Sequence, residues 1–333
     1  MIKIDTGKIF QTIEEKKPIA VTLSVPDGLS RGALEIASAI REKYGINAIV
    51  MGDSCYGSCD TTDSDVERLG ASLAFNIGHT ISLEKLGRHT ILIDAFDDIR
   101  FDGVLEKALP ILAQYGKIGL TTSSQHLNQL NEVAALLHEK GLTVVLGKGK
   151  GQLRSGQVFG CEFYPAFDIK ELVNAFVFLG QSRFHALGVA ISTGKPTYML
   201  DPYMEEVVDM ESLAQARMKR SVLAVYKALD AERFGVIIGL KEGQIMVRRA
   251  LDIKAKLESH GKGVVLMAMR EVSPSRLNEF REVDAFIQTA CPRISVDGET
   301  FDRPVLSPPQ AEALILLMDK KDPGTFLERR HWL

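Results

Sequence analysis

The sequence predicts an α/β protein in which a small parallel-sheet unit occurs three times. Three observations carry this. Short apolar runs rich in β-branched residues alternate with amphipathic stretches of helical period, which argues parallel strands covered on both faces. The pattern restarts near Lys117 and again near Arg233, at intervals of roughly 100–115 residues, the mark of an internal triplication. In each unit the first strand runs into a turn of small and polar residues: Pro26-Asp27-Gly28-Leu29-Ser30, Thr122-Ser123-Ser124-Gln125 and Lys241-Glu242-Gly243-Gln244. One continuous doubly wound sheet is the alternative.

The elements follow in order. Ile19–Val25 reads as a buried strand and 31–44 as a helix; strands follow at Ala48–Met51, Ser72–Ile77 and Thr90–Asp94. The second unit has strands at Lys117–Thr121, Leu142–Leu146, Asn174–Leu179 and Pro196–Leu200, with a helix over 126–140 that ends at Gly141. A long helix over 208–230 leads into the third unit. Its strands lie at Arg233–Leu240, Gly263–Met267 and Ala285–Thr289, and its helices over 245–259 and 309–319. The expected domains are 1–103, 104–205 and 206–320, with a tail at 321–333.

Composition narrows the function classes. The chain has 333 residues, 45% hydrophobic and 25% charged, which is ordinary for a globular protein. Its net charge of −3, from 40 basic and 43 acidic residues, lacks the basic footprint of a nucleic-acid binder. Met1 is followed by Ile-Lys-Ile-Asp, so no secretory leader is expected, and no run approaches the roughly 18 apolar residues of a membrane span. A cytoplasmic protein is the expectation.

The chemistry gathers around four cysteines, Cys55, Cys59, Cys161 and Cys291. A reducing cytosol removes the disulfide option. Each lies in a loop after a strand, where open parallel sheets place their ligands. Small residues crowd three of these loops: Gly57-Ser58-Cys59-Asp60, Phe159-Gly160-Cys161 and Ala290-Cys291-Pro292-Arg293. A Cys-Pro step also recurs beside iron–sulfur ligands. Separations of 102 and 130 residues match no local metal motif, so a cluster, zinc and inert buried thiols all stay open on spacing alone. Cys55 and Cys59 form Cys-x3-Cys, the first half of the usual radical S-adenosylmethionine signature. The third position of that signature holds Thr62, so the local motif is absent.

Other polar groups sit at strand ends. His79 lies in Gly78-His79-Thr80, and His185 follows Gly180-Gln181-Ser182-Arg183-Phe184. Gln244 is expected to open a helix whose N–H groups could hold a carboxylate. Gly147-Lys148-Gly149-Lys150-Gly151 lacks the Ser or Thr of a P-loop and reads as a flexible basic loop. The acidic run Asp94–Asp98 lacks calcium-loop spacing and reads as a solvated strand exit.

Seven motifs in order then carry a resemblance. Pro26-Asp27-Gly28-Leu29, Gly52-Asp53 with Tyr56-Gly57-Ser58-Cys59-Asp60, Gly78-His79-Thr80, Gly156-Gln157-Val158-Phe159-Gly160-Cys161, Gly180 with Phe184-His185, Cys291-Pro292-Arg293 and Arg303-Pro304-Val305-Leu306 are similar to those of the archaeal enzymes that open diphthamide biosynthesis, the 2-(3-amino-3-carboxypropyl)histidine synthases. The likeness runs from about residue 15 to 318. It implies three similar domains around a pseudo-threefold axis, each giving one cysteine (Cys59, Cys161, Cys291) to a 4Fe-4S cluster, in a homodimer. It further implies transfer of the 3-amino-3-carboxypropyl group of S-adenosylmethionine to imidazole C2 of a histidine on translation elongation factor 2, with release of 5′-methylthioadenosine and a need for an electron donor. His185, Gln244 and Arg293 are the candidates to hold S-adenosylmethionine. Members often read Gly-Asp-Gly before Phe-His, where this chain has Gly180-Gln181-Ser182-Arg183, and Cys55 is extra, a bystander. A quinolinate synthase-like enzyme and a non-catalytic, cluster-bearing accessory subunit are the rival readings.

Overall fold

The computed structural model describes residues 2–53, 55–57, 59–79, 87–296 and 300–324. Thr80 of the Gly78-His79-Thr80 motif and residues 325–333 of the expected tail lie outside these. The chain forms two compact units, Met1–Val189 with Lys195–Asp209, and Ala190–Gly194 with Met210–Leu333.

The first unit holds β1 (Lys3–Ile4), α1 (Thr6–Lys16), β2 (Ala20–Ser24), α2 (Ser30–Tyr44), β3 (Asn47–Val50), α3 (Asp63–Arg68), β4 (Leu73–Ile77), β5 (Thr90–Ile93) and β6 (Ala95–Phe96). It continues through α4 (Asp102–Leu112), β7 (Lys117–Thr122), α5 (Leu130–Glu139), β8 (Thr143–Val145), α6 (Tyr164–Ile169), β9 (Ala175–Leu179), α7 (Arg183–Thr193, whose residues from Ala190 belong to the second unit), β10 (Thr197–Asp201) and β11 (Glu206–Asp209). Strands β2–β5 make a parallel sheet in the order β3-β2-β4-β5. A second sheet runs β8-β7-β9-β10, parallel, with β11 added antiparallel at its edge.

The second unit holds α8 (Glu211–Lys227), β12 (Arg233–Gly239), α9 (Val247–Ser259), β13 (Gly263–Met269), α10 (Pro274–Asn278), β14 (Ala285–Gln288), α11 (Pro292–Val296), β15 (Val305–Leu306) and α12 (Pro308–Met318). Its parallel sheet runs β13-β12-β14-β15. All three sheets therefore share one order: the second strand of the set, then the first, third and fourth.

A packing detail repeats with the topology. Gly119 of β7 lies opposite Phe176 of β9, and Gly235 of β12 lies opposite Phe286 of β14. A Cβ at Gly119 would meet the Phe176 ring at 2.5 Å, and one at Gly235 the Phe286 ring at 2.7 Å. In each sheet a missing side chain on the first strand makes room for a phenylalanine on the third. Helices cover these sheets with short apolar stripes: Ala33, Ile36 and Ile40 of α2, and Ala250, Ile253 and Leu257 of α9, face the strands. The capping box of Ser307 and Gln310 starts α12. No helix among the described residues is long and apolar enough to cross a membrane.

Three readings need correction. The helix expected over 208–230 starts only at Glu211, because Glu206–Asp209 is β11. The cause is a hairpin: Asp201 Oδ1 accepts the Tyr203 and Met204 N–H groups at 2.9 and 3.2 Å, and Glu205 takes a left-handed φ of 50°. The acidic run is not a solvated exit, since Asp97 is buried. Its Oδ2 accepts the Tyr203 hydroxyl at 2.6 Å and its Oδ1 the Ile99 N–H at 3.1 Å. The Gly147–Gly151 loop is anchored at its start, with the Lys148 N–H held by Asp168 Oδ2 at 2.9 Å, while the side chains of Lys148 and Lys150 stay exposed. A Cβ at Gly147 would lie 1.7 Å from the Pro165 carbonyl oxygen.

Candidate metal centre

Cys59 sits on a loop after β3 that closes on itself. The Asp60 N–H donates to the Gly57 carbonyl at 3.0 Å, and the Asp60 carboxylate accepts the Tyr56 N–H at 2.7 Å. A buried polar group fastens this loop from below. Asn76, near the carboxyl end of β4, accepts from His79 Nδ1 at 3.0 Å, and its amide reaches the Gly57 carbonyl at 3.5 Å and Cys55 Sγ at 3.7 Å. Cys55 is buried in this group, with Sγ also 3.7 Å from His79 Nδ1. Burial pushes the His79 pKa down to about 4, so the imidazole is neutral at pH 7.

Cys161 is presented at a tight reversal. The Phe159 N–H donates to the Glu162 carbonyl at 2.8 Å and the Glu162 N–H returns to Phe159 at 3.1 Å, leaving Gly160 and Cys161 as the two turn residues. This hairpin is pinned to the end of β7, where the Val158 N–H donates to Thr122 at 2.8 Å. Its Phe159 ring meets His79 edge-on at 5.8 Å, and a Cβ on Gly57 would lie 3.3 Å from that ring and 3.6 Å from Cys59 Sγ. The loops of Cys59 and Cys161 are thus packed together through Gly57 and Phe159. His185, on α7, belongs to the same neighbourhood: its ring is 6.1 Å from Phe159, stacks on Phe178 at 6.0 Å, and its Nδ1 lies 2.7 Å from Ser182 Oγ.

Cys291 lies in the second unit, just beyond β14. Buried Gln288 clamps its loop: Oε1 accepts the Ala290 and Cys291 N–H groups at 2.9 and 3.0 Å, while Nε2 donates to the Cys291 carbonyl at 2.8 Å and Ser295 Oγ at 2.9 Å. Arg293 follows in α11 and is buried. Gln244 comes close to the same loop, because a Cβ on Gly239 would meet Ala290 Cβ at 2.8 Å and Gln244 Cβ at 3.0 Å. Gln244 ends a single 3-10 turn, Glu242–Gln244, while α9 begins at Val247, so it does not open that helix as expected.

The structure therefore groups Cys59, Cys161 and His185 in one unit, and Cys291, Gln244 and Arg293 in the other. Among the described residues, no three His, Cys, Asp or Glu side chains come together as a ready metal site. Asn76 and Gln288 were not foreseen from sequence. Their signal was a polar residue closing an apolar strand, in Leu73-Ala74-Phe75-Asn76-Ile77 and Ala285-Phe286-Ile287-Gln288.

Comparison with known proteins decides the family. The model of the diphthamide synthesis protein family matches residues 25–324. The chain belongs to this family. Among its members, the 2-(3-amino-3-carboxypropyl)histidine synthase of Pyrococcus horikoshii is 30% identical over 323 residues, covering 96% of this chain and 92% of that one. Subunit 1 of the human enzyme of the same name is 29% identical over 320 residues, covering 94% and 71%. A crystal structure of Dph2 from Pyrococcus horikoshii with a 4Fe-4S cluster superposes with a TM-score of 0.85 at 29% identity, over 97% of this chain and 94% of that one.

Proposed function

We propose that this chain acts as a 2-(3-amino-3-carboxypropyl)histidine synthase. It moves the 3-amino-3-carboxypropyl group of S-adenosylmethionine to imidazole C2 of a histidine in translation elongation factor 2, the first step of diphthamide biosynthesis. The observation that carries this reading is a family match over residues 25–324 that takes in all three cysteine loops.

The donor set suits a 4Fe-4S cluster, whose ordinary ligands are thiolates. Cys59, Cys161 and Cys291 would hold it, leaving one iron without a protein ligand. Bound there, such a cluster supplies one-electron reducing power and an iron open to S-adenosylmethionine, and the protein's part is to orient both. The loops are built for that part: the Asn76–His79 group holds the Cys59 loop, the Thr122 carbonyl holds the Cys161 hairpin, and Gln288 holds the Cys291 loop. Gly57 and Gly160 leave room that a Cβ would fill, against Phe159 at 3.3 Å and Phe184 at 2.4 Å respectively.

Arg293 brings a permanent cation next to Cys291 and suits the carboxylate of S-adenosylmethionine, which a guanidinium grips in two-point fashion. Gln244 and His185 supply hydrogen-bonding groups beside the Cys291 and Cys161 loops. The shared strand order of the sheets supports a threefold repeat of one α/β unit, which the proposed reading divides as domains 1–103, 104–205 and 206–320. The working enzyme is a cytoplasmic homodimer served by an electron donor.

The decisive experiment is anaerobic incubation of the reconstituted, dithionite-reduced protein with S-adenosylmethionine and elongation factor 2, read by mass spectrometry of the target. Addition of one aminocarboxypropyl group to a single histidine supports the reading. An unmodified target alongside intact cluster absorbance refutes it.

A further inference from the structure

The segment that runs into Cys161 carries charge of one sign. Residues 146–161 hold Lys148, Lys150 and Arg154 and no acidic residue, in a chain whose net charge is −3. Asp94 answers Arg154 at 3.0 Å. Lys148 and Lys150 are exposed, and neither forms an ion pair among the described residues. The two acids that follow the hairpin are engaged with main chain instead. Glu162 Oε1 accepts the Tyr164 N–H at 3.2 Å, and Asp168 Oδ2 the Lys148 N–H at 2.9 Å.

These lysines stand on a fixed frame. The Gly156 N–H donates to the Gly147 carbonyl at 2.9 Å, closing residues 147–156 into a compact loop whose ends meet, the form of an Ω-loop. Inside it the Leu153 N–H donates to the Lys150 carbonyl at 3.0 Å, and buried Gln157 accepts the Arg154 N–H at 2.9 Å. The Gly156 carbonyl accepts the Thr122 N–H at 3.0 Å, at the same end of β7 that pins the Cys161 hairpin. Lys150 Nζ lies 5.0 Å from the ring centre of Tyr164, three residues beyond Cys161. Loop and hairpin are thus held as one piece.

Cys161 is exposed, whereas Cys59 and Cys291 are half-buried. Phe184, packed on Gly160 and 45% exposed, gives the hairpin an apolar flank, and Arg183 beside it adds another exposed cation. Exposed ammoniums on a surface loop do not enclose a small anion. They raise the potential over a broad face, which speeds encounter with an acidic macromolecule. Electron-transfer partners meet through small contacts of this kind. A carrier needs only to approach an exposed ligand sulfur, while a target histidine must reach the S-adenosylmethionine itself.

We infer that the 147–156 loop docks an acidic protein carrying a one-electron centre, which passes its electron in on the Cys161 side. The carrier is oxidised by one electron and the cluster reduced by one; no bond forms or breaks and no proton moves. The inference rests on the proposed function above, which calls for a donor, and it adds the donor's charge and its landing place.

The test follows bleaching of the reconstituted cluster by stopped flow, with reduced flavodoxin as the acidic carrier. It compares the full chain with a Lys148→Glu/Lys150→Glu variant and with Lys16→Glu/Lys17→Glu, an equal change of net charge at the exposed end of α1. At low salt the loop variant should be reduced roughly tenfold or more slowly than the wild type, and the control at the wild-type rate. In about 1 M salt, where charges are screened beyond about 3 Å, the three should converge. Dithionite should bring all three to the same final absorbance, and flavodoxin should bind the wild-type apoprotein on a biosensor but not the loop variant. Equal rates for wild type and loop variant, equal slowing in the control, or no reduction of the wild type by flavodoxin overturns this inference and leaves the transferase reading standing. A loop variant reduced at the wild-type rate but with a raised KM for elongation factor 2 gives the loop to the target and overturns it as well. A wild type that takes up no iron and sulfide overturns the proposed function and this inference with it.

Discussion

Replacing Asn76 by alanine should destabilise the apoprotein by about 2–4 kcal/mol and loosen the loop that carries Cys59. Asn76 is 2% exposed and makes one good hydrogen bond, from His79 Nδ1 at 3.0 Å. Alanine would strand that N–H on an imidazole that is itself buried, a loss of roughly 1–3 kcal/mol. The contacts to the Gly57 carbonyl and Cys55 Sγ, at 3.5 and 3.7 Å, are near the limit of hydrogen bonding and add little. The void left by the amide adds about 1 kcal/mol. If this energy is lost from local opening, labelling of buried Cys55 by a thiol reagent should quicken by roughly thirty- to several-hundred-fold, at 1.4 kcal/mol per decade. Urea unfolding of the apoprotein gives the stability, and peptide mass spectrometry gives the Cys55 rate. A stability change below about 0.5 kcal/mol, with Cys55 labelled as in the wild type, would refute the view that Asn76 holds this loop.

Three further outcomes are expected. His79 is kept neutral by burial, its pKa depressed from 6.5 to about 4, so it contributes stability above its unfolded pKa that is lost as pH falls through this window. Between pH 6.5 and 4 the apoprotein should lose about 3 kcal/mol on this account, and His79→Gln should flatten that part of the profile; an unchanged slope argues against it. Alanine at Cys59, Cys161 or Cys291 should abolish iron and sulfide uptake in anaerobic reconstitution, while Cys55→Ala keeps most of it. Loss on Cys55→Ala with retention on Cys59→Ala would reverse the assignment. Chromatography of the reduced reaction should show 5′-methylthioadenosine as the nucleoside product, and dominance of 5′-deoxyadenosine would contradict the proposed bond cleavage.

Most of the parallel strands were legible because strands covered on both faces leave unbroken apolar runs, as in Ala175–Leu179, buried throughout; β15, only two residues long, was not read as a strand. What escaped depends on contacts distant in sequence or on single turns. Helix α1 opens Thr-Gly-Lys and buries only Ile9, Thr12 and Ile13, too thin a stripe to distinguish it from a polar N-terminal stretch. β11 exists because of one aspartate turn and one left-handed glutamate. Asp97 is buried by a tyrosine 106 positions away, which charge counting along the chain does not register. In the candidate site the cysteines were readable as a chemical type set among small residues. Asn76 and Gln288 were not, since much of what they bind is main chain, and a carbonyl or amide leaves no trace in the sequence.

The way the strands are laid out along the chain bears on how the protein is made. Each sheet is completed by consecutive segments: β2 to β5 within residues 20–93, β7 to β11 within 117–209, and β12 to β15 within 233–306. A nascent chain can therefore close one sheet before the next leaves the ribosome, without waiting for a distant strand. The thiols emerge on the same schedule, Cys59 first and Cys291 last. An unfinished chain with two thirds of its length exposed offers at most two of the three expected donors. If those three thiols are the ligands, the full donor set exists only once the final sheet has folded.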